Sequence, residues 1–131
     1  MKRVICILLV FVVTFGCIGC GKTNVSATSE ATLNFNNLEE NIHVTLTDTE
    51  AETVVRILRG NRYDPRWAGV PSCGFSEEIS LEVNNCAYAI ARDDCNYIMD
   101  CSAQRYFTIS QKEMTEIRAL FEKYGGYFPC V

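Results

Sequence analysis

The sequence is poor in the residues that most metal sites and many hydrolytic mechanisms require. Its 131 residues include a single histidine, which excludes a histidine-based metal cluster and any mechanism that needs two histidines. Basic residues are also in the minority, because twelve Lys and Arg stand against sixteen Asp and Glu, for a formal net charge of −4. The basic footprint typical of nucleic-acid binding is therefore absent, and we expect no nucleic-acid partner.

The N-terminus lacks a hydrophobic run long enough to span a bilayer. Met1-Lys2-Arg3 precedes an uncharged apolar stretch from Val4 to Gly16, and even when extended to Gly19 it has sixteen residues, whereas a spanning helix needs about twenty. A short cationic start before a short apolar run is typical of a signal peptide. Eight cysteines in so short a chain also favour export, because disulfides persist in oxidising compartments. The sequence predicts a signal peptide over residues 1–19.

The end of the apolar run resembles the lipobox of bacterial lipoprotein precursors. In Cys17-Ile18-Gly19-Cys20 the last three residues fit the pattern, while Cys17 stands where leucine is usual. The resemblance implies that Cys20 carries a diacylglycerol thioether and acyl chains such as palmitate, which hold a protein on the extracytoplasmic side of the cell membrane. Two other cleavage points stay open, one before Cys17 and one after Ala27, and a secreted protein is the alternative outcome.

Composition predicts a tether and then one folded domain. Residues 20–37 are rich in Thr, Ser, Asn and Ala, so we expect a flexible tether that buries little surface. Residues 38–131 are expected to form a single domain. The capping boxes Thr47-x-x-Glu50 and Ser110-x-x-Glu113 each precede an amphipathic stretch that ends at glycine, and they predict two helices.

Runs of β-forming residues, several of them alternating apolar with polar, predict the strands of the domain. These segments are His43–Leu46, Ile79–Val83, Ala87–Ala91, Asn96–Asp100 and Tyr106–Ile109. With the helices after the first and last strands, the order is β-α-β-β-β-β-α. We therefore predict the α+β class, with a small antiparallel sheet of about four to five strands and two helices packed on one face.

The domain also looks like small uncharacterised exported bacterial domains. The similarity rests on Phe128-Pro129-Cys130-Val131 after a Tyr-Gly-Gly helix end, and on Ala91-x-Asp93-x-Cys95-Asn96, and it covers roughly residues 42–131. It implies no activity and transfers no functional residue.

Five cysteines belong to the domain once the signal peptide and Cys20 are set aside. A two-residue turn at Asp93-Asp94 would pair positions whose numbers sum to 187, and would place Cys86 directly opposite Cys101, close to the separation that a disulfide tolerates. Cys73 and Cys95 are then the expected second pair. The remaining cysteine is Cys130, and its pairing stays open.

No group of residues predicts catalysis, a metal site or a cofactor. His43 and Cys130 would be a Cys–His pair, but a lone histidine in a strand is more often structural. The acidic pairs Glu39-Glu40, Glu77-Glu78 and Asp93-Asp94 stand beside turns or strand starts, not across a cleft as glycosidase chemistry requires. The last pair opens a stretch that lacks the glycine and glutamate of a calcium loop. We expect a protein that is not an enzyme.

The loop after the first predicted helix, residues 60–73, is the candidate binding loop. It contains Arg62, Tyr63, Arg66 and Trp67, which are residue types enriched at binding hot spots. The competing and favoured interpretation is that the loop covers the open end of a small core, with Trp67 buried. We expect a non-enzymatic binding or accessory module with an envelope or secreted protein partner. An inhibitor or immunity-type protein is the alternative.

Overall fold

The computed structural model describes residues 21–36, 40–72 and 74–128, and all side chains within them except that of Trp67. The predicted signal peptide and Cys20 therefore lie outside the described residues. The elements within the described ranges are β1 Ala31–Asn36, β2 Asn41–Thr45, α1 Asp48–Leu58, β3 Ile79–Val83, β4 Cys86–Ile90, β5 Tyr97–Asp100, β6 Arg105–Thr108 and α2 Gln111–Lys123. A 3₁₀ turn at Arg66–Ala68 lies in the loop between α1 and β3.

The strands form one antiparallel sheet in the order β2-β1-β3-β4-β5-β6. The α+β class is therefore confirmed. The two helices contact each other and share one core with the strands. Phe35 of β1 meets Phe121 of α2 with ring centroids 6.2 Å apart. Each helix follows an edge strand, α1 after β2 and α2 after β6, so the two helices start from opposite edges of the sheet.

Both helices begin with the capping box that their sequences predict. The Thr47 hydroxyl accepts from the Glu50 backbone N–H while the Glu50 carboxylate accepts from the Thr47 N–H, and Ser110 and Glu113 repeat this arrangement. These reciprocal bonds satisfy backbone donors that a helix start leaves without partners. α1 ends before Gly60, whose φ of +70° lies in the left-handed region that glycine adopts without strain.

The predicted flexible tether over residues 20–37 is wrong for the part that the structure describes. β1 lies within this range and pairs with β2 on one side and β3 on the other. Leu33 of β1 is completely buried, and Thr23 and Val25 are also buried. The sheet therefore has six strands in the described residues, rather than four to five, and the order begins β-β-α. The domain extends back well before residue 38.

The predicted Cys86–Cys101 disulfide is also wrong. Residues that pair across β4 and β5 have numbers that sum to 188, as in Tyr88 with Asp100, so the register is one residue away from the predicted one. The Cys101 N–H accordingly donates to the Ala87 carbonyl at 3.0 Å. Because a slip of one residue turns a side chain to the other face of a sheet, the two thiols do not face each other. Both are free.

Arg118 of α2 accounts for the wider connection between β4 and β5. Its guanidinium is buried, with 5% of the residue exposed, and donates to the carbonyls of Asp93 and Cys95. The Asp93 carboxylate accepts from the Cys95 N–H at 3.1 Å. The backbone here is therefore held by a side chain from a helix 25 residues away in sequence, instead of closing as a two-residue hairpin.

Glu50 joins the two helices near the start of α1. Its carboxylate accepts from the Lys123 ammonium at 2.6 Å and from the Tyr124 hydroxyl at 2.8 Å, in addition to its capping bonds. The hydrogen bond from Lys123 is the largest cause that lowers the pKa of Glu50 from 4.5 to about 2, and the Thr47 backbone bond is the next.

Replacing Glu50 with glutamine should lower the free energy of unfolding by about 2 kcal/mol at pH 7, a value kept small because Lys123 is exposed and screened by solvent. A carboxylate whose folded pKa is depressed stabilises the fold above its unfolded pKa, and this is lost as pH falls toward the folded value. The difference between Glu50→Gln and the wild type should therefore shrink from pH 4.5 toward pH 2. Urea unfolding of both proteins at pH 7 and in acid measures this difference in the free energy of unfolding.

Glu52→Gln on the exposed side of the same helix is the control, and should change stability little at either pH. A loss for Glu50→Gln that is the same in acid as at neutral pH would contradict the assigned role of the ionised carboxylate.

Candidate functional site

The loop after α1 is anchored by Tyr63, whose side chain packs against the core. Its hydroxyl donates to the Asp100 carboxylate at 2.6 Å, and its ring meets Phe107 edge-on with centroids 6.3 Å apart. The Arg105 guanidinium lies over the same ring, 5.1 Å from its centroid. Burial, and then the Asp100 carboxylate, raise the pKa of Tyr63, so the hydroxyl stays a proton donor. For Tyr63 the structure supports the cover interpretation.

Asp100 is a buried carboxylate at the centre of this network. It accepts from Tyr63 and from the Ala103 N–H, at 2.9 Å. Tyr88 lies nearby, and its pKa is raised by burial and by the Asp100 charge. The network joins residues from three strands and a loop, so no local spacing in the sequence marks it. Because both Asp100 oxygens already accept hydrogen bonds, we assign it a structural role.

Tyr63→Phe should lower the free energy of unfolding by about 1–3 kcal/mol, because a buried carboxylate oxygen loses its donor. Chemical denaturation followed by circular dichroism measures the loss. Tyr127→Phe is the matched control, since Tyr127 is 70% exposed and its hydroxyl should contribute almost nothing. If Tyr63→Phe proved as stable as Tyr127→Phe, the loop would not be anchored in this way.

The same loop closes the outer edge of β6. The Asp64 N–H donates to the Tyr106 carbonyl at 2.7 Å, and the Arg105 guanidinium donates to the Asp64 carbonyl at 3.0 Å. Further along, Phe75 contacts the Tyr106 ring with centroids 5.4 Å apart. An open edge strand presents unpaired backbone groups to solvent and to other chains, so this loop protects the sheet as well as its core.

Basic side chains that point away from the core lie beside the Tyr63 anchor. Arg59, Arg62 and Arg66 are exposed, and so is Lys22, which lies opposite Arg62 in an antiparallel bridge. Among the described residues, none of these four forms an ion pair. We call this surface, formed by Lys22, Arg59, Arg62 and Arg66, the basic end.

The structure thus gives the residues of the predicted binding loop different roles. Arg62 and Arg66 are available to a ligand, Tyr63 is used by the core, and the side chain of Trp67 is outside the description. Lys22 and Arg59 were not predicted. The sequence does contain a signal for this surface, because Asp64 is the only acidic residue between positions 53 and 76. A shallow groove of about 460 Å³ beside it is lined by Ala27, Glu52, Val55, Arg56, Arg59 and Gly60.

The first described residues are fixed against this surface. The Gly21 carbonyl accepts from the Tyr63 N–H at 2.9 Å, and the Thr23 N–H donates to the Asn61 carbonyl at 2.9 Å. The Thr23 hydroxyl donates to the Leu58 carbonyl at 2.6 Å and accepts from the Asn61 N–H at 3.0 Å. The residue that follows Cys20 is therefore bound to the loop after α1.

The predicted Cys73–Cys95 pair stays a prediction. Cys95 is disulfide-bonded, and Cys73 lies outside the described residues. Asp93, Asp94 and Cys95 each place one ligand atom within 4.8 Å of the others. Because the Cys95 sulfur is bonded and an Asp93 oxygen accepts a backbone N–H, we assign no metal site to this cluster.

The remaining residues that the sequence offered for catalysis form ordinary contacts within the fold, where the structure describes them. His43 is exposed on β2 and hydrogen-bonds to Asn34 on the neighbouring strand, while Cys130 lies outside the described residues. Glu78 lies 3.8 Å from the Arg92 guanidinium on the surface.

The chain matches no known family model, no curated protein and no solved structure. Neither helix in the described part of the chain is long and apolar enough to cross a membrane. The assignment of a function therefore rests on the residues themselves.

Proposed function

We propose that the protein is a lipoprotein anchored through Cys20 on the extracytoplasmic side of the cell membrane. The supporting observation is the fixed position of the residues that follow Cys20. Cleavage after Ala27 would remove Thr23 and Val25, both buried, together with the hydrogen bonds that tie them to the loop after α1. Cleavage before Cys20 keeps these contacts, and Ile18-Gly19-Cys20 fits the lipobox better than the residues before Cys17 do.

The domain itself is a non-enzymatic binding or accessory module in this proposal, with an envelope or secreted protein as its partner. The basic end supports a binding role, because the backbone of a loop that Tyr63 holds in place has little conformational entropy left to lose when its exposed arginines bind a ligand. The buried carboxylates of Glu50 and Asp100 already accept hydrogen bonds from neighbouring side chains, which favours structural roles over catalysis.

Cys20→Ala tests the anchor. In a bacterial host supplied with labelled palmitate, the wild type should take up label and be recovered with membranes in its processed form. Cys20→Ala should remain unlabelled and accumulate as the longer precursor, because its processing depends on the lipidated cysteine. The matched control is Cys17→Leu, which places the usual leucine in the lipobox and should keep both label and processing. A labelled, normally processed Cys20→Ala chain would contradict the proposal.

A further inference from the structure

We propose that the basic end lies against anionic phospholipid headgroups of the membrane that carries the protein. This inference rests on the proposed anchor at Cys20, and it names the ligand of Arg62 and Arg66. It assigns the lipid surface to the basic end, so that a protein partner would bind on a surface of the domain that faces away from the membrane.

The first argument is the lack of free chain between the anchor and the basic end. Cys20 and Gly21 are consecutive, so their Cα atoms are about 3.8 Å apart, and the Gly21 carbonyl is already bonded to the Tyr63 N–H. The next residue, Lys22, lies opposite Arg62 in an antiparallel bridge. With no tether in between, a lipid on Cys20 brings this surface of the domain to the headgroups, within the ~10 Å over which exposed charges act at moderate ionic strength.

The second argument is charge complementarity. From residue 21 onward the chain has ten basic and sixteen acidic residues, so an anionic membrane would repel the domain in most orientations. The basic end is the exception, because four exposed cations stand there without a carboxylate partner among the described residues. Each basic residue near an anionic surface favours contact by about fivefold. The charge distribution therefore favours one orientation, with the basic end toward the lipid.

The position of the anchor also favours a membrane over an acidic protein as the ligand of the basic end. An acidic protein would be attracted to the same four cations, but it would have to reach a surface that begins one residue after the lipid-bearing cysteine. A membrane is already there. The groove beside the basic end is lined by Glu52 as well as Arg56 and Arg59, and Arg56 is paired with Glu116, so Arg59 is the cation that the groove offers to a headgroup phosphate.

The test uses the full processed chain, reconstituted into vesicles, with its only tryptophan as the probe. Trp67 follows Arg66 in the 3₁₀ turn, so its fluorescence reports on this end of the domain. All vesicles contain the same brominated phosphatidylcholine as quencher, with or without phosphatidylglycerol. We expect quenching of Trp67 when phosphatidylglycerol is present, and its reversal in high salt, because exposed charges are screened.

The combined Arg59→Glu, Arg62→Glu and Arg66→Glu variant should lose this quenching, since removing three attractions lowers the preference for the lipid-facing orientation by about 100-fold or more. The control reverses exposed charges elsewhere, at Arg92 and Lys112, and should be quenched like the wild type. Circular dichroism checks folding, and the neutral Arg59→Gln, Arg62→Gln and Arg66→Gln combination replaces the first variant if that one does not fold.

Flotation of the vesicles separates the two proposals. A chain that floats with the vesicles but shows the same Trp67 fluorescence with and without phosphatidylglycerol, or that is quenched equally after charge reversal, overturns the inference and leaves the anchor standing. A wild-type chain that takes up no lipid and does not float overturns the proposed anchor, and the inference falls with it.

Discussion

Replacing Leu33 with alanine should lower the free energy of unfolding by about 2–5 kcal/mol, the usual cost of truncating a completely buried leucine. Leu33 has no exposed surface and lies in β1 between Val44 of β2 and Leu81 of β3. Its side chain therefore fills a site that neighbouring residues on both sides define, and the cavity left behind cannot easily collapse. Urea denaturation of the domain that begins at Gly21, followed by circular dichroism, measures this loss of stability.

Asn34→Ala is the matched control for this prediction. Asn34 is the next residue of the same strand, so its side chain points to the opposite face, where it hydrogen-bonds to His43 and is partly exposed. A surface substitution of this kind should cost below about 1 kcal/mol. If Leu33→Ala were as stable as Asn34→Ala, β1 would not be an inner strand, and residues 31–36 would belong to a tether after all.

The parts of the fold that were predictable from the sequence are those that local chemistry decides. Thr47 with Glu50, and Ser110 with Glu113, place both helix starts, because a capping box acts within four residues. The turn at Asn84-Asn85 was predictable for the same reason. Both residues have positive φ, 53° and 61°, as a two-residue type I′ hairpin turn requires, and asparagine tolerates that conformation better than most residues.

β1 was missed although its pattern is present. Ala31, Leu33 and Phe35 alternate with polar residues and are buried in turn, which is the period of a strand with one face on a core. The surrounding Ser, Thr and Asn residues hide this in a composition average, and asparagine is a poor strand former. Pairing on both sides overrides that preference, and such pairing depends on strands that lie far away in the sequence.

The register, and the place of Lys22 in the basic end, could not have been predicted from local patterns. Arg118 holds the carbonyls of Asp93 and Cys95, and this long-range contact stabilises a β4–β5 connection longer than a two-residue turn. Lys22 and Arg62 are likewise distant in sequence, and the bridge between them brings these two cations together. Both features depend on contacts between distant parts of the folded chain. Neither a turn rule nor a count of charges predicts such contacts.

A domain that begins at Thr28 should be less stable than one that begins at Gly21 by about 3–7 kcal/mol. The shorter chain lacks Val25, whose burial is worth about 1.5–3 kcal/mol. It also lacks Thr23, whose hydroxyl and backbone bond to Leu58 and Asn61 at about 0.5–1.5 kcal/mol each. Thermal and urea unfolding of the two purified domains measure the difference.

Two point variants of the longer domain separate loss of contacts from loss of length. Val25→Ala should account for a large part of the effect, whereas Asn24→Ala, at an exposed neighbouring position, should be nearly neutral. Since total stability of a small domain is typically about 5–15 kcal/mol, the predicted loss would remove a large share of the stability of a form cut after Ala27. Equal stability of the two domains would remove this objection, and a secreted form cut after Ala27 would then compete on equal terms with a lipoprotein anchored at Cys20.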